Sequence, residues 1–391
     1  MKTKIIIITI LLTNQLMAQS YKKIHDDAIS IDTHNDFLTQ TMDYGYSLDS
    51  NLKGKTHSDL NRFKKGGLDV QFFSVWSDGN QLNPYAFANR QIDSLDAVIK
   101  RNPDKIVKVK NTEELLDVVK QHKIAALIGL EGGHQIEDNL DNLNALYNRG
   151  TRYMTLTWNN STNWATSAFD DKFNPDLKGK GLSDFGKQVV KHMNSIGMMV
   201  DVSHVSEQTF WDVIATTTKP IIASHSSVYS LCPHQRNLKN DQIIAIAKNG
   251  GVIQVNFNSG FIDPTVDERE SAFIKKYQGE IDSLKESGIN AYKAEEIIYK
   301  KHNEESESLR APFSLVIEHI EYIIKLVGVD YVGIGSDFDG IILTPKQLDD
   351  VTTYPLITKA LLEKGYTETD LNKILGGNLL RVLKANEENK N

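Results

Sequence analysis

A (β/α)8 barrel of the TIM type is the fold this sequence predicts, on three observations. Eight short runs rich in apolar and β-branched residues recur along the chain, segments with helical spacing lie between them, and histidines or carboxylates stand at the ends of five of the runs. A doubly wound open sheet produces similar local signals and is the alternative. With 391 residues, 40% hydrophobic and 24% charged, the chain can bury a substantial core and lacks the low hydrophobicity of disorder.

The chain opens MKTKIIIITILLTNQLMAQS, with Lys2 and Lys4 ahead of an apolar run from Ile5 to Leu12 and a small residue, Ala18, suited to a peptidase. Residues 1–18 are therefore expected to be a cleaved signal peptide, and the protein to be exported, periplasmic or secreted. The apolar run is too short to span a bilayer, and the final ANEENKN is polar, so neither a transmembrane nor a GPI anchor is expected. Removing Lys2 and Lys4 leaves 42 basic against 51 acidic residues, a formal charge of −9, which disfavours a nucleic-acid partner. Cys232, the sole cysteine, cannot close an intrachain disulfide, so stability must rest on the core.

The remainder, 19–391, reads as a single domain. Its strand candidates are AISIDTHND (28–36), GLDVQFFSVW (67–76), KIAALIGLEGG (123–133), RYMTLTW (152–158), GMMVDVSHV (197–205), KPIIASHS (219–226), GGVIQVNF (250–257) and DYVGIGSDFDG (330–340). Asn111 and Thr112 begin a helix with Glu114 in its favourable first turn. From Ser183 to Ile196, Phe185, Val189, Met193 and Ile196 recur at helical spacing before Gly197; Val316, Ile320, Ile323, Ile324 and Val327 do so before Gly328. A charged stretch, 263–310, interrupts the rhythm after the seventh run and reads as solvated helices inserted on the surface. On a barrel that position lies on the catalytic face, where a lid or a dimer contact is the functional reading.

Placing the polar residues on the run ends assembles the chemistry. His34 and Asp36 end the first run, Glu131 the third, His204 the fifth, His225 the sixth and Asp337 the eighth. Parallel strands of a barrel bring these ends to one mouth. Alternate strand residues point the same way, so His34 and Asp36 can grip one ion, and three imidazoles with carboxylates suit Zn2+ or a similar metal. Glu131, with two oxygens, can bridge two cations, which makes the predicted centre binuclear. A buried carboxylate cluster without a cation would suffer desolvation and repulsion.

These segments resemble the membrane dipeptidase (renal dipeptidase) family of zinc metallopeptidases over nearly the whole chain after the leader. The motifs carrying the resemblance are DTHND, HSDLNRFKKGGLDVQFFSVW, LIGLEGG, RYMTLTW, GKQVVKHMNSIGMMVDVSHVS, PIIASHSSVYSLCPHQRNLKND, GIGSDFDG and GGNLLRVL. The resemblance implies two Zn2+ ions per chain: His34, Asp36 and the shared Glu131 on one, Glu131, His204 and His225 on the other. It also implies that Arg236 receives the substrate carboxylate, that Asp337 acts beside the metals, that small dipeptides are the substrates, and that the protein is a homodimer. The implied reaction is peptide hydrolysis by a metal-bridging hydroxide, with Asp337 accepting the water's proton and delivering it to the leaving amine.

The sequence departs from the family at Trp158. Where the best-known members read LTH, this chain reads LTWNN, and an indole N–H can donate a hydrogen bond but cannot carry a positive charge. The oxyanion contact and the dipeptide preference are the properties this touches. Asn159, Tyr229 and Asp339 read as shaping the pocket, His57 and His134 as hydrogen-bonded structural groups, His319 as core-facing and Cys232 as a packed thiol. Another binuclear hydrolase, acting on a cyclic amide, lactone or phosphoester, and a non-catalytic exported metal-binding protein are the alternatives.

Overall fold

The computed structural model describes residues 21–289 and 291–388, so the expected signal peptide lies outside the described residues. Nine strands form one sheet: β1 (Ile31–Asn35), β2 (Val70–Trp76), β3 (Ile106–Lys108), β4 (Ile124–Glu131), β5 (Thr151–Thr155), β6 (Met199–Asp201), β7 (Ile222–Ala223), β8 (Val252–Val255) and β9 (Val332–Ile334). Every pairing is parallel, in the order β1-β2-β4-β5-β6-β7-β8-β9. The eight predicted runs supply this circuit. The extra strand, β3, pairs with β4 outside it.

The circuit closes at a seam between β1 and the end of β9. Asn35 and Phe338 form a parallel bridge, the Asp36 N–H donates to Phe338 O (2.9 Å), and the Asp337 N–H donates to His34 O (3.0 Å). Buried Asp32 fastens the same seam, accepting from the N–H and Oγ of Ser336 (2.9 and 2.7 Å) and from the Tyr354 hydroxyl (2.6 Å).

Alternation along the strands divides the core. Phe73, Val75, Ile128, Met154, Val200 and Ile253 pack outward with helix residues such as Val189, Met193, Ile320 and Ile323. The opposite faces, including Val70, Phe72, Leu127, Met199 and Val252, form a second cluster with Leu379, Val382 and Leu383 of the helix Asn378–Glu387. Several of these are first residues of their strands, which places that helix at the N-terminal end of the barrel and leaves the other rim for the polar residues.

The predicted helix boundaries follow local chemistry. The Asn111 side chain caps Thr112–Lys120 by accepting from the Glu114 N–H (2.8 Å). Ser183 caps Asp184–Ile196, and Gly197 ends it at φ 81°, a left-handed geometry that glycine adopts freely. The helix Phe313–Val327 ends at Gly328.

The charged insertion is more organised than its composition predicts. Four helices, Val266–Lys276, Gln278–Glu286, Ala291–Lys301 and Asn303–Leu309, enclose a small core of Val266, Phe273, Ile281, Ala294, Ile298, Tyr299 and Leu309. No described helix is long and apolar enough to cross a membrane.

Candidate metal centre

At the open rim, five side chains from β1, β4, β6, β7 and the turns that follow them converge. His34 Nε2 lies 3.4 Å from Asp36 Oδ2 and 3.1 Å from Glu131 Oε2. The other Glu131 oxygen, Oε1, faces a second pair, His204 Nε2 at 3.0 Å and His225 Nε2 at 3.5 Å. The two imidazole nitrogens stand 3.0 Å apart. Ligand atoms held about 2.0–2.2 Å from a tetrahedral zinc are separated from each other by roughly 3.3 Å, so Glu131 Oε1, His204 and His225 have the spacing of a cation's ligand shell; around His34 the mutually close groups are Glu131 with His225 and Asp36 with Asp337. Each carboxylate and imidazole expected at the mouth is present there, and all five residues are buried.

Neighbouring groups fix the ring orientations. His34 Nδ1 lies 2.8 Å from the Tyr153 hydroxyl, which donates to Thr33 O (2.9 Å). Asn159 Oδ1 lies 3.2 Å from His204 Nδ1. Ser224 Oγ lies 2.7 Å from His225 Nδ1 and donates to Asp201 Oδ2 (2.5 Å), while Thr155 donates to the same oxygen (2.5 Å). In each case Nδ1 is engaged and Nε2 is left for an ion, as metal-binding histidines require. Ser74 Oγ donates to Glu131 Oε2 (3.1 Å).

The electrostatics suit a cation. Burial pushes His204 down to about 3, assisted by Arg236, and holds His225 well below the usual imidazole range, assisted by His34. Both rings are therefore neutral, with lone pairs converging on one carboxylate oxygen. Burial alone would lower His34, but Tyr153, Glu131 and Asp36 outweigh it and hold that imidazole well above its ordinary range. A negative field of this kind favours a positive charge at Nε2, whether proton or metal.

Asp337 borders His34 and Asp36, its Oδ1 4.0 Å from His34 Nε2 and its Oδ2 accepting from Asn256 Nδ2 (2.8 Å). Burial raises its carboxyl well above the usual range; His34 opposes this, and the Asp36 and Glu131 carboxylates reinforce it. His204, Asp337 and Asp339 all have left-handed backbones, at φ 67°, 64° and 67°. Such conformations are unfavourable for residues with a side chain and cluster at functional sites.

Arg236 donates from Nη2 to His225 O (3.2 Å), with its guanidinium over Phe261. Burial lowers it to about 10, Asp337 and Glu131 opposing, so it remains charged. Its buried Nε has no partner among the described residues, a donor left for an anionic ligand. Trp158 is half-buried and meets Trp76 edge-on, ring centroids 5.0 Å apart. Beside the cluster, a cavity of about 460 Å3 lies between the insertion and the barrel. Its lining includes Gln40, His57, Tyr292, Lys300, Arg310 and Asp339, and none of the five candidate ligands.

Sequence reasoning passed over Tyr153, Asp201, Ser224 and Asn256. Ser224 adjoins His225, and Asp201 shares the VDVSH run with His204, but a hydroxyl or carboxylate next to a histidine is no motif until the fold turns it inward. His134 pairs with Ser77 (2.9 Å), a hydrogen-bonded structural group as expected. His57 accepts from the Asp339 N–H (2.9 Å), and His319 is a core residue, as expected.

A parallel eight-strand barrel whose rim gathers three imidazoles with the carboxylates Asp36, Glu131 and Asp337 defines a metallohydrolase. The profile of the membrane dipeptidase family, peptidase family M19, matches residues 18–391, and the chain belongs to that family. It is 32% identical over 400 residues to an uncharacterized dipeptidase of Schizosaccharomyces pombe, covering 95% of this chain and 84% of that one. Its fold is similar to that of a probable dipeptidase from Pseudomonas aeruginosa (TM-score 0.76, 24% identity, 96% and 99% of the two chains). A metallopeptidase from Rhodobacter sphaeroides, liganded with a phosphinate mimic of the dipeptide L-Ala-D-Ala, is also similar (TM-score 0.75, 22% identity, 92% and 100%).

Proposed function

We propose that this chain is an exported two-zinc dipeptidase. The observation that carries the reading is the division of Glu131, one oxygen toward His34 and the other toward His204 and His225. His34, Asp36 and Glu131 would hold one ion, and Glu131, His204 and His225 the other. When bound, the pair would supply Lewis acidity, lowering the pKa of the attacking water and polarising the scissile carbonyl.

The chain's own residues supply the rest. Asp337, steadied on Oδ2 by Asn256, has Oδ1 free to accept the water's proton and pass it to the leaving amine. Arg236 fixes the free carboxylate of the substrate, which places the scissile bond a short and constant distance away and favours dipeptides over longer peptides. By the family resemblance Trp158 would take the place of the histidine that contacts the oxyanion, and would offer a neutral donor. Export is supported by the leader-like residues 1–18.

The test is a panel of dipeptides with zinc-reconstituted protein, alongside metal content by mass spectrometry on protein purified without added metal. Two equivalents of zinc and turnover of dipeptides with a free carboxylate are expected. Zinc-loaded protein that cleaves cyclic amides, lactones or phosphoesters and no dipeptide would overturn the assignment.

A further inference from the structure

The insertion reaches the loop beside the candidate metal centre through Tyr292. The Tyr292 hydroxyl donates to Gly340 O (3.0 Å). Gly340 itself is wedged against the cluster: a Cβ there would stand 2.2 Å from Asp36 Oδ2 and 2.9 Å from Asp337 Oδ1. Tyr292 is 44% exposed, so its ring borders open space as well as Gly340. The same residue lines the side cavity of about 460 Å3.

This placement is held from both sides. Glu296, one turn further along the same helix, accepts from the Tyr44 hydroxyl (2.7 Å), and Lys293 pairs with Asp43 (3.5 Å). Asp43 and Tyr44 end the helix Phe37–Tyr44, which follows directly on Asp36. Arg236 is hydrogen-bonded to the carbonyl of His225, on the side of Glu131 that faces His204 and His225. On the dipeptidase reading, a dipeptide whose carboxylate Arg236 holds would present its amino-terminal residue to Asp36 and Gly340.

We propose that Tyr292 is a specificity-determining residue: it walls the amino-terminal end of the substrate site and separates that end from the side cavity. The inference rests on the dipeptidase reading above. A large amino-terminal side chain meets the phenol, whereas removing the ring joins the site to a cavity with room for such a side chain. Discrimination by a wall of this kind is worth about 10- to 200-fold.

Two dipeptide series test it on the zinc-loaded full chain. One varies the amino-terminal residue from Ala to Leu to Phe before a fixed Ala, and the other varies the carboxy-terminal residue after a fixed Ala. Tyr292→Ala is expected to raise kcat/KM for Phe relative to Ala by about tenfold in the first series and to leave the ratio in the second unaltered. Tyr292→Phe, which keeps the ring and loses only the hydroxyl, is expected to stay near the wild-type ratio, with the Ala-Ala rate reporting a folded protein. Unaltered ratios for Tyr292→Ala, or equal shifts in both series, overturn the assignment and leave the dipeptidase reading standing. A wild-type protein inert toward every dipeptide overturns both.

Discussion

Ser224 Oγ lies 2.7 Å from the Nδ1 of its neighbour His225 and at the same time donates to Asp201. This relay fixes the imidazole with Nε2 toward Glu131. Ser224→Ala and Asp201→Asn are each expected to weaken zinc binding by about 10- to 100-fold. Competition with a chromophoric chelator measures it; affinities equal to wild type would show that the ring needs no such support.

Asp337→Asn should separate binding from turnover. On the proposed ligand sets its carboxylate lies beside the His34 and Asp36 ion without being a ligand, so both ions should stay while kcat falls by about 10²- to 10⁴-fold. Metal analysis and steady-state kinetics on one preparation decide the matter. Retained turnover would remove Asp337 from proton transfer.

Arg236→Ala should lower kcat/KM on a free dipeptide by about 10²-fold, the loss of two charge-assisted hydrogen bonds. It should also abolish the preference for a dipeptide over its C-terminal amide. Arg236→Lys is expected to recover little, because an ammonium cannot form the paired bonds. Undiminished discrimination against the amide in Arg236→Ala would place carboxylate recognition elsewhere.

His319 provides an acid-sensitive element away from the metals. Its Nδ1 accepts from the Val228 N–H (3.0 Å) and its Nε2 donates to Ile262 O (3.1 Å), so the folded state requires the neutral ring. Burial pushes it down to about 4, the Ile262 carbonyl opposing. The unfolded chain, with an ordinary imidazole near 6.5, binds the additional proton between these values, so stability falls as pH drops from about 6.5 to about 4. The contribution of this one group is ~3 kcal/mol across the window. Metal-free His319→Gln, followed by chemical denaturation from pH 7 to pH 4, should show a flatter decline; an identical slope would exclude His319 as a source.

Much of the barrel was legible because a doubly buried parallel strand has to be a short apolar run, and each such run lies where it was expected. β3 was not, since Ile106–Lys108 is three residues long and only partly buried. The five candidate ligands were legible because they end such runs, and the barrel converts run ends into neighbours. Tyr153 and Asp201 lie inside runs, where an inward polar residue reads as an interruption until its partner is known. The insertion reads as helices and is helical, and its own core was hidden for a related reason. Phe273, Ile281 and Ile298 are sparse within their own helices and form a core only when four helices meet.

Closure of the barrel has a consequence for how the protein matures. Ser336 Oγ donates to His34 O (3.3 Å) across 302 positions of sequence, and the whole seam between β1 and β9 has comparable separation. Contacts so remote form late, after the intervening ladders have shortened the effective loop. A nascent or truncated chain that stops short of residue 337 can assemble ladders yet cannot complete the rim. Completion of the rim is therefore reserved for the finished chain.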